Sequence, residues 1–329
     1  MIRYIGKRLL WLIPTLLGII FVVQVLITLT PGDPARMMLG TSATEEQVEE
    51  LREEMGLNDP FPVRYVRYIN NVLHGDFGTS YMTRRPVFQE MMERFRYTVL
   101  LVLFSTFFSV LVGLPVGIYA ARHQHSWKDN LSILLCLFFV SMPNFWFALL
   151  LIRFFGVFLG VFPVSGVESW TGWILPCAAQ SLGLLALMAR QMRGDMLEVL
   201  RLDYITTARA KGLPERTVIY RHALKNASIP TIMIVGGVVG VLLGGSLIIE
   251  MIFSIPGLGQ YVMKGLNNRD YPVIQSGILI ISTMFAIIIL AVDVIFALVD
   301  PRIRQQYTRK KIRKGAKQNE EAKEEIEAV

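Results

Sequence analysis

Six separated apolar runs, roughly 9–29, 97–120, 131–156, 173–189, 229–253 and 273–299, govern what this chain can fold into. Each approaches the ~20 residues a helix needs to cross the hydrocarbon core of a bilayer. In lipid every backbone polar group must be satisfied within its own segment, so runs of this length become helices. The expectation is an all-α integral membrane protein with six transmembrane helices. Only 18% of the residues are charged, against the roughly 25% of soluble domains, which excludes an ordinary water-soluble enzyme. The formal charge of +7 is spread over loops and a tail rather than gathered on an aromatic-interleaved module, so nucleic acid is not an expected partner. The first run follows Arg3, Lys7 and Arg8. It is too long for a signal peptide and is followed by TPGDPARMM, which has no small-x-small cleavage site, so it reads as a membrane anchor.

Charge also selects a side of the membrane. Lys and Arg are enriched in cytoplasmic loops near span ends. Residues 1–8 carry three basic and no acidic groups, 190–228 carry eight against four, and 301–329 carry nine against five. The alternate segments differ: 31–96 has eight basic and eleven acidic residues, 157–172 has only Glu168, and 254–272 has two basic and one acidic. Both termini are therefore expected in the cytoplasm, with an extracytoplasmic insertion after the first helix. The expected organisation is an N-terminal helix at 1–30, an extracytoplasmic segment at 31–96, a core of five helices at 97–300 and a charged tail at 301–329. Within the insertion, TEEQVEELREEMGL reads as an acidic amphipathic helix, with Thr44 and Gln47 forming a capping box. The tail passes from a basic to an acidic block, a pattern of solvated or disordered chain whose basic part can touch anionic lipid.

Three charged residues remain inside the predicted spans: Arg153, Glu250 and Asp293. Ion-coupled transporters commonly place acids or histidines there, and none of the four histidines lies in a span. Arg153 and Glu250 fall near outer span ends, where snorkelling is the plain reading and a pathway or interhelical role the sharper one. Asp293, two turns before Asp300-Pro301, reads as a pairing or capping residue. Gly236, Gly240 and Gly244 repeat every four residues, a spacing that permits close helix approach or leaves a smooth wall beside a translocation path. Gly113 and Gly117 invite the same two readings. Pro115, Pro143 and Pro176 are candidate kinks. SIPGLG after Glu250 reads as a structural turn. Cys136 and Cys177 fall in apolar runs as small hydrophobes, and His, Cys and carboxylates do not cluster at metal-ligand spacing.

The segment at about 194–228 is polar, yet Leu197, Leu200, Tyr204, Ala208, Val218, Ile219 and Leu224 recur at helical spacing. Two short helices are expected. Asp203 can cap the first, Gly212 supply its left-handed stop, and Pro214 with Glu215 open the second. On pattern alone an amphipathic helix on the inner leaflet is the competing reading.

This segment, with DYITTARAKGL at 203–213 and RHALKNASIP at 221–230, resembles the EAA-type cytoplasmic loop of ATP-binding-cassette (ABC) importer permeases. It is most similar to the dipeptide/oligopeptide/nickel family. Thr206-Thr207-Ala208 stand where the generic loop has Glu-Ala-Ala, and Leu224-Lys225 where it has Leu-Pro. The similarity covers about residues 1–307. Its other ordered motifs are LTPGDPA at 29–35, MGLNDPFPVRY through HGDFGTSY at 55–81, SMPNFWFALLL at 141–151, FPVSG at 162–166, ARQMRGDMLEVLRLDY at 189–204 and EMIFSIPGLGQYV at 250–262. The PGDP and GDFGTS elements resemble the first of the two permeases in such systems.

The resemblance implies a type I ABC-importer permease fold in a bacterial or archaeal inner membrane. Implied partners are a second permease, two ATPase subunits, an extracytoplasmic binding protein and membrane lipid. Asp203, Tyr204, Thr207, Ala208, Arg209, Lys211 and Gly212 would form the helix that rests in the ATPase, and its stop. The solute would be a di- or oligopeptide, or a related small solute such as nickel or a metallophore. No GxxxxGK[ST] loop occurs, since Gly6-Lys7 is followed by Arg8. ATP and Mg2+ are therefore expected on partner chains, with no cofactor and no catalysis on this one. The competing class is an ATP-independent secondary transporter or channel.

Overall fold

Apolar composition over twenty or more residues, with few internal breakers, produces helices, and the structure is built almost entirely of them. It is a computed structural model that describes residues 2–29, 32–40 and 42–299. The chain begins with α1 (Ile2–Leu29), followed by the short α2 (Pro34–Leu39), α3 (Glu45–Glu54) and α4 (Phe61–Leu73). The long α5 (Val87–Arg122) leads to α6 (Trp127–Ser141) and α7 (Asn144–Leu151), which continues as a π-helical stretch through Ile152–Phe158. Next come α8 (Ile174–Val199), α9 (Asp203–Ala210) and the single turn α10 (Glu215–Thr217). That turn widens into a π-helical segment at Val218–Ala223 and runs into α11 (Leu224–Ile252), with α12 (Leu258–Asn267) and α13 (Tyr271–Val299) completing the order.

Among the described residues, five helices are long and apolar enough to cross a membrane, and α6 with α7 makes a sixth if a bent pair is one span. The third predicted span is thus not straight: its halves meet at 102°. The break falls at Met142-Pro143, where Met142 is extended at φ −81°, ψ 129°. Proline forces its predecessor out of the helical region and has no N–H to continue the ladder. Pro115 leaves α5 unbroken, and Pro176 sits in the first turns of α8. The predicted boundaries at 97 and 189 also move outward, to Val87 and Val199. These polar extensions bring Glu90, Arg193 and Asp195 into the helical bundle beyond the three charges expected, and the first turn of α6 brings Asp129.

Helices α5 and α8 form the centre. A Cβ built on Gly113 would lie 2.9 Å from the Leu185 carbonyl, and one on Gly117 would lie 2.4 Å from the Ala189 carbonyl and 2.8 Å from Met192 Cβ. These glycines therefore serve helix contact. Gly117→Ala is expected to destabilise the protein by about 1–3 kcal/mol through overpacking, read as a lower unfolding midpoint of the purified protein. Gly194→Ala is the control, since its Cβ meets nothing within 4 Å. Equal midpoints for the two variants would contradict this contact. At one end of α8, Arg193 makes a bidentate pair with Asp129 at 2.6 and 2.8 Å. Asp195 there accepts from Gln191 at 2.8 Å and from Thr231 of α11 at 2.9 Å.

Residues 31–96 do not stand apart from the bundle. Asp33 caps α2 and pairs with Arg52 of α3 at 2.7 Å, and Thr44 with Gln47 forms the predicted capping box. The loop before α5 docks on the start of α13: Ser80 donates to the buried Asp270 at 2.6 Å, and Tyr68 and Ser276 share a hydrogen bond of 3.0 Å. Burial pushes the Tyr68 hydroxyl up to about 12, so it stays neutral. The first turns of α5 are anchored through Glu90, which accepts from Tyr261 of α12 at 2.6 Å and from Thr83 at 2.8 Å. Cys136 and Cys177 are buried and unpaired. The tail at 301–329, Asp300-Pro301 and the side chain of Asp293 lie outside what is described.

Candidate functional site

Helix α9 sits across the ends of three long helices. Ile205 and Ala208, three residues apart and hence on one face, are buried in a cluster with Ile118 and Ala121 of α5, Met192 and Met196 of α8, and Ala227 of α11. Val218, Ile219 and Ala223 of the π-helical segment complete it. The other face of α9 is open: Asp203, Tyr204, Thr206, Thr207, Arg209, Ala210 and Lys211 are all exposed. Its two buried side chains seat α9 on the π-helical segment Val218–Ala223, within the cluster that joins the ends of α5, α8 and α11.

The stop of α9 follows its glycine. Gly212 adopts φ +75° and its N–H donates to the Arg209 carbonyl at 2.9 Å, a conformation open to glycine at no steric cost. Across the turn, Arg209 donates to both Glu215 oxygens at 3.2 and 2.7 Å, a bond that raises the Arg209 pKa. Tyr204 is tied down as well, its hydroxyl accepting from Asn226 of α11 at 2.8 Å.

Some expectations for this segment change. Asp203 does not cap: Leu202 holds the extended cap position and Asp203 is the first helical residue, its carbonyl accepting from Thr207 at 2.9 Å. A carboxylate there still suits the helix dipole. The second helix is not separate, because α10 passes through the π-helical segment directly into α11. Ala208 gives close approach to the protein's own core, and Arg209 spends its bidentate geometry on Glu215.

At the opposite end of α11, Glu250 is fully buried, so snorkelling is overturned for it. Its carboxylate accepts from Thr98 of α5 at 2.6 Å, from Ser246 at 3.2 Å and from the Gln260 N–H of α12 at 3.0 Å. SIPGLG explains the fit. A Cβ on Gly257 would fall 2.3 Å from the Glu250 carboxyl carbon, and one on Gly259 would fall 3.0 Å from its Oε2. The glycines thus admit a carboxylate to the N-terminus of α12, where N–H groups and helix dipole favour an anion. Arg153 is exposed on the π-helical stretch after α7. The α11 glycines divide: Gly240 lies against Phe285 and Ile289 of α13, Gly236 is buried, and Gly244 is exposed with nothing within 4 Å of its Cβ, as for Gly237 and Gly245.

Helices of membrane-crossing length with a small helix seated at their ends define the class, a multi-pass membrane protein. Comparison with known proteins narrows this. Residues 113–305 match the family described as binding-protein-dependent transport system inner membrane component, and residues 1–102 match the N-terminal part of such components. The chain belongs to this family and is a multi-pass protein of the bacterial inner membrane. It is 41% identical over 304 residues to the glutathione transport system permease protein GsiC of Escherichia coli (strain K12), covering 92% of this chain and 99% of that one. It is 42% identical over 332 residues to the dipeptide transport system permease protein DppB of Alkalihalophilus pseudofirmus, covering 92% and 100%. Its fold resembles that of the inward-facing MetNI methionine ABC transporter, with TM-score 0.56 at 19% identity over 64% of this chain and 97% of that one.

Proposed function

We propose that the chain is a permease subunit of an ATP-driven peptide importer, with both termini and α9 in the cytoplasm and α9 the surface that an ATPase subunit receives. The observation that carries this is the two-sided character of α9: Ile205 and Ala208 lock it into the cluster that joins the ends of α5, α8 and α11, while Asp203, Tyr204, Thr207 and Lys211 face outward. A push on α9 is transmitted to three spans without passing through a flexible loop. A second permease would complete the pathway, with the open Gly244 face of α11 toward their shared seam. Two ATPases would supply ATP and Mg2+ chemistry, and an extracytoplasmic binding protein would deliver the solute. Peptides are favoured over nickel because the relatives named above are dipeptide and glutathione permeases.

Reconstitution tests the reading. Vesicles containing this chain, its partner permease, the ATPases and the binding protein are expected to accumulate a radiolabelled dipeptide or glutathione only with ATP inside the ATPase compartment. Uptake by this chain alone under an ion gradient would reject it in favour of a secondary transporter.

A further inference from the structure

Helix α4 lies against the second half of α1, and the contact places it in depth. From neighbouring positions on α4, Arg64 donates to Thr28 at 3.1 Å and Tyr65 to the Leu17 carbonyl at 3.0 Å. The two side chains therefore reach in opposite directions along α1. Between them Phe21 meets the rings of Phe61 and Tyr65 at 5.5 and 5.9 Å. Phe21 is eight residues before the end of α1 at Leu29, a distance of ~12 Å at the helical rise. Amphipathic helices that settle into a membrane surface lie ~5–10 Å below it, and α4 crosses α1 slightly deeper than that. Both helices carry exposed apolar side chains: Val66 and Leu73 of α4 are 63% and 79% exposed, and Phe21, Val22 and Leu26 of α1 are exposed as well. Those of α1 belong to the lipid face of a span.

Between α1, α4 and α13 is a cavity of about 160 Å³ whose mixed lining includes the apolar Ile27 and Leu57 and the polar Gln24, Arg64, Asn71 and Gln275. Two of its polar atoms are buried with no hydrogen-bond partner: Gln24 Oε1, on a residue 2% exposed, and Arg64 Nε. One accepts and the other donates, yet they are not bonded to each other, so the space between them suits a group offering both functions. Among the described residues no carboxylate pairs with Arg64, whereas Arg67 beside it is paired with Asp59 at 2.5 Å. An unpaired guanidinium in a half-buried site favours an anion, and phosphate in particular.

We propose that this cavity holds the headgroup of a zwitterionic amine phospholipid, its phosphodiester on Arg64 and its ammonium on Gln24 Oε1. The acyl chains run down the exposed apolar side chains of α1. Helix α4 is then part of the membrane-embedded body rather than of an aqueous cap.

The probe is phosphatidylethanolamine added to the delipidated, purified transporter complex, with bound lipid counted by native mass spectrometry. One tightly held molecule per copy of this chain is expected. Arg64→Gln and Gln24→Leu should each weaken it by about tenfold to a hundredfold, the loss of one charge-assisted hydrogen bond. In vesicles, the indole of a Val66→Trp reporter variant should be quenched by lipids brominated on their acyl chains. Free phosphoethanolamine competing as well as the lipid would overturn the lipid assignment in favour of a soluble zwitterion. Binding unchanged in Gln24→Leu, no retained lipid, or an unquenched reporter covered by another subunit would each overturn the proposal. If Arg64→Gln fails to assemble, Gln24→Leu and the quenching still decide it.

Discussion

Glu250→Leu is expected to lower the stability of the protein by about 3–5 kcal/mol, because three buried donors lose their acceptor at about 1–3 kcal/mol each. Leucine would leave the Gln260 N–H without its acceptor and take from Thr98 and Ser246 a partner at 2.6 and 3.2 Å. It would also press branched methyls into a cradle so close that Cβ atoms on Gly257 and Gly259 would overlap the carboxylate. Glu250→Gln keeps the shape but exchanges one acceptor oxygen for a donor, so a smaller loss of about 1–3 kcal/mol is expected, that of one buried donor left unsatisfied. The measurement is the unfolding midpoint of the purified complex, with the order wild type, Gln, Leu. A snorkelling glutamate would make both substitutions nearly silent, and that result would remove the role assigned to SIPGLG. Because Glu250 joins α5, α11 and α12, the leucine variant should also lose uptake at temperatures where wild type is active.

Gly212→Arg is expected to abolish ATP-driven uptake, to below about one-tenth of wild type, while the protein still inserts and folds. Two effects act at the position and can be separated. The φ of +75° costs any L side chain roughly 1–2 kcal/mol, which Gly212→Ala measures alone. Space is not limiting, since a Cβ there meets nothing within 4 Å, so arginine projects from the surface proposed to meet the ATPase. A contact face tolerates such a projection poorly, because a bulky, hydrated cation blocks close approach. Alanine should therefore retain most uptake while arginine loses it, with ATP hydrolysis persisting uncoupled. Uptake equal to wild type in the arginine variant would remove α9 as the docking element.

What the sequence alone determined here is whatever depends on neighbours close along the chain. Long apolar runs had to become helices because lipid offers backbone groups no other partner. Thr44 and Gln47 are three residues apart and form their capping box. Gly212 stops α9 because no other residue takes its conformation so cheaply. The ordered motifs identified the family for the same reason, as local strings. Pro143 was visible as a candidate kink, but not that the chain would turn by 102° there.

The tertiary structure decided whatever required residues remote in sequence to meet. Thr98 and Glu250 are 152 positions apart, and Tyr261 and Glu90 are 171 apart. No spacing rule predicts such pairs, so snorkelling was the plain reading of Glu250 and an interhelical role the sharper one until its donors were in place. The α11 glycines looked alike in their repeat, yet Gly240 touches α13 and Gly244 faces open space. The polar ends of α5 and α8 read as loop because a charge in a helix extension is expensive unless paired. Their partners, Tyr261 for Glu90 and Asp129 for Arg193, come from other helices. Local chemistry sets which segments are helical and which could face water, whereas which charges are buried, and on what, is a property of the assembled bundle.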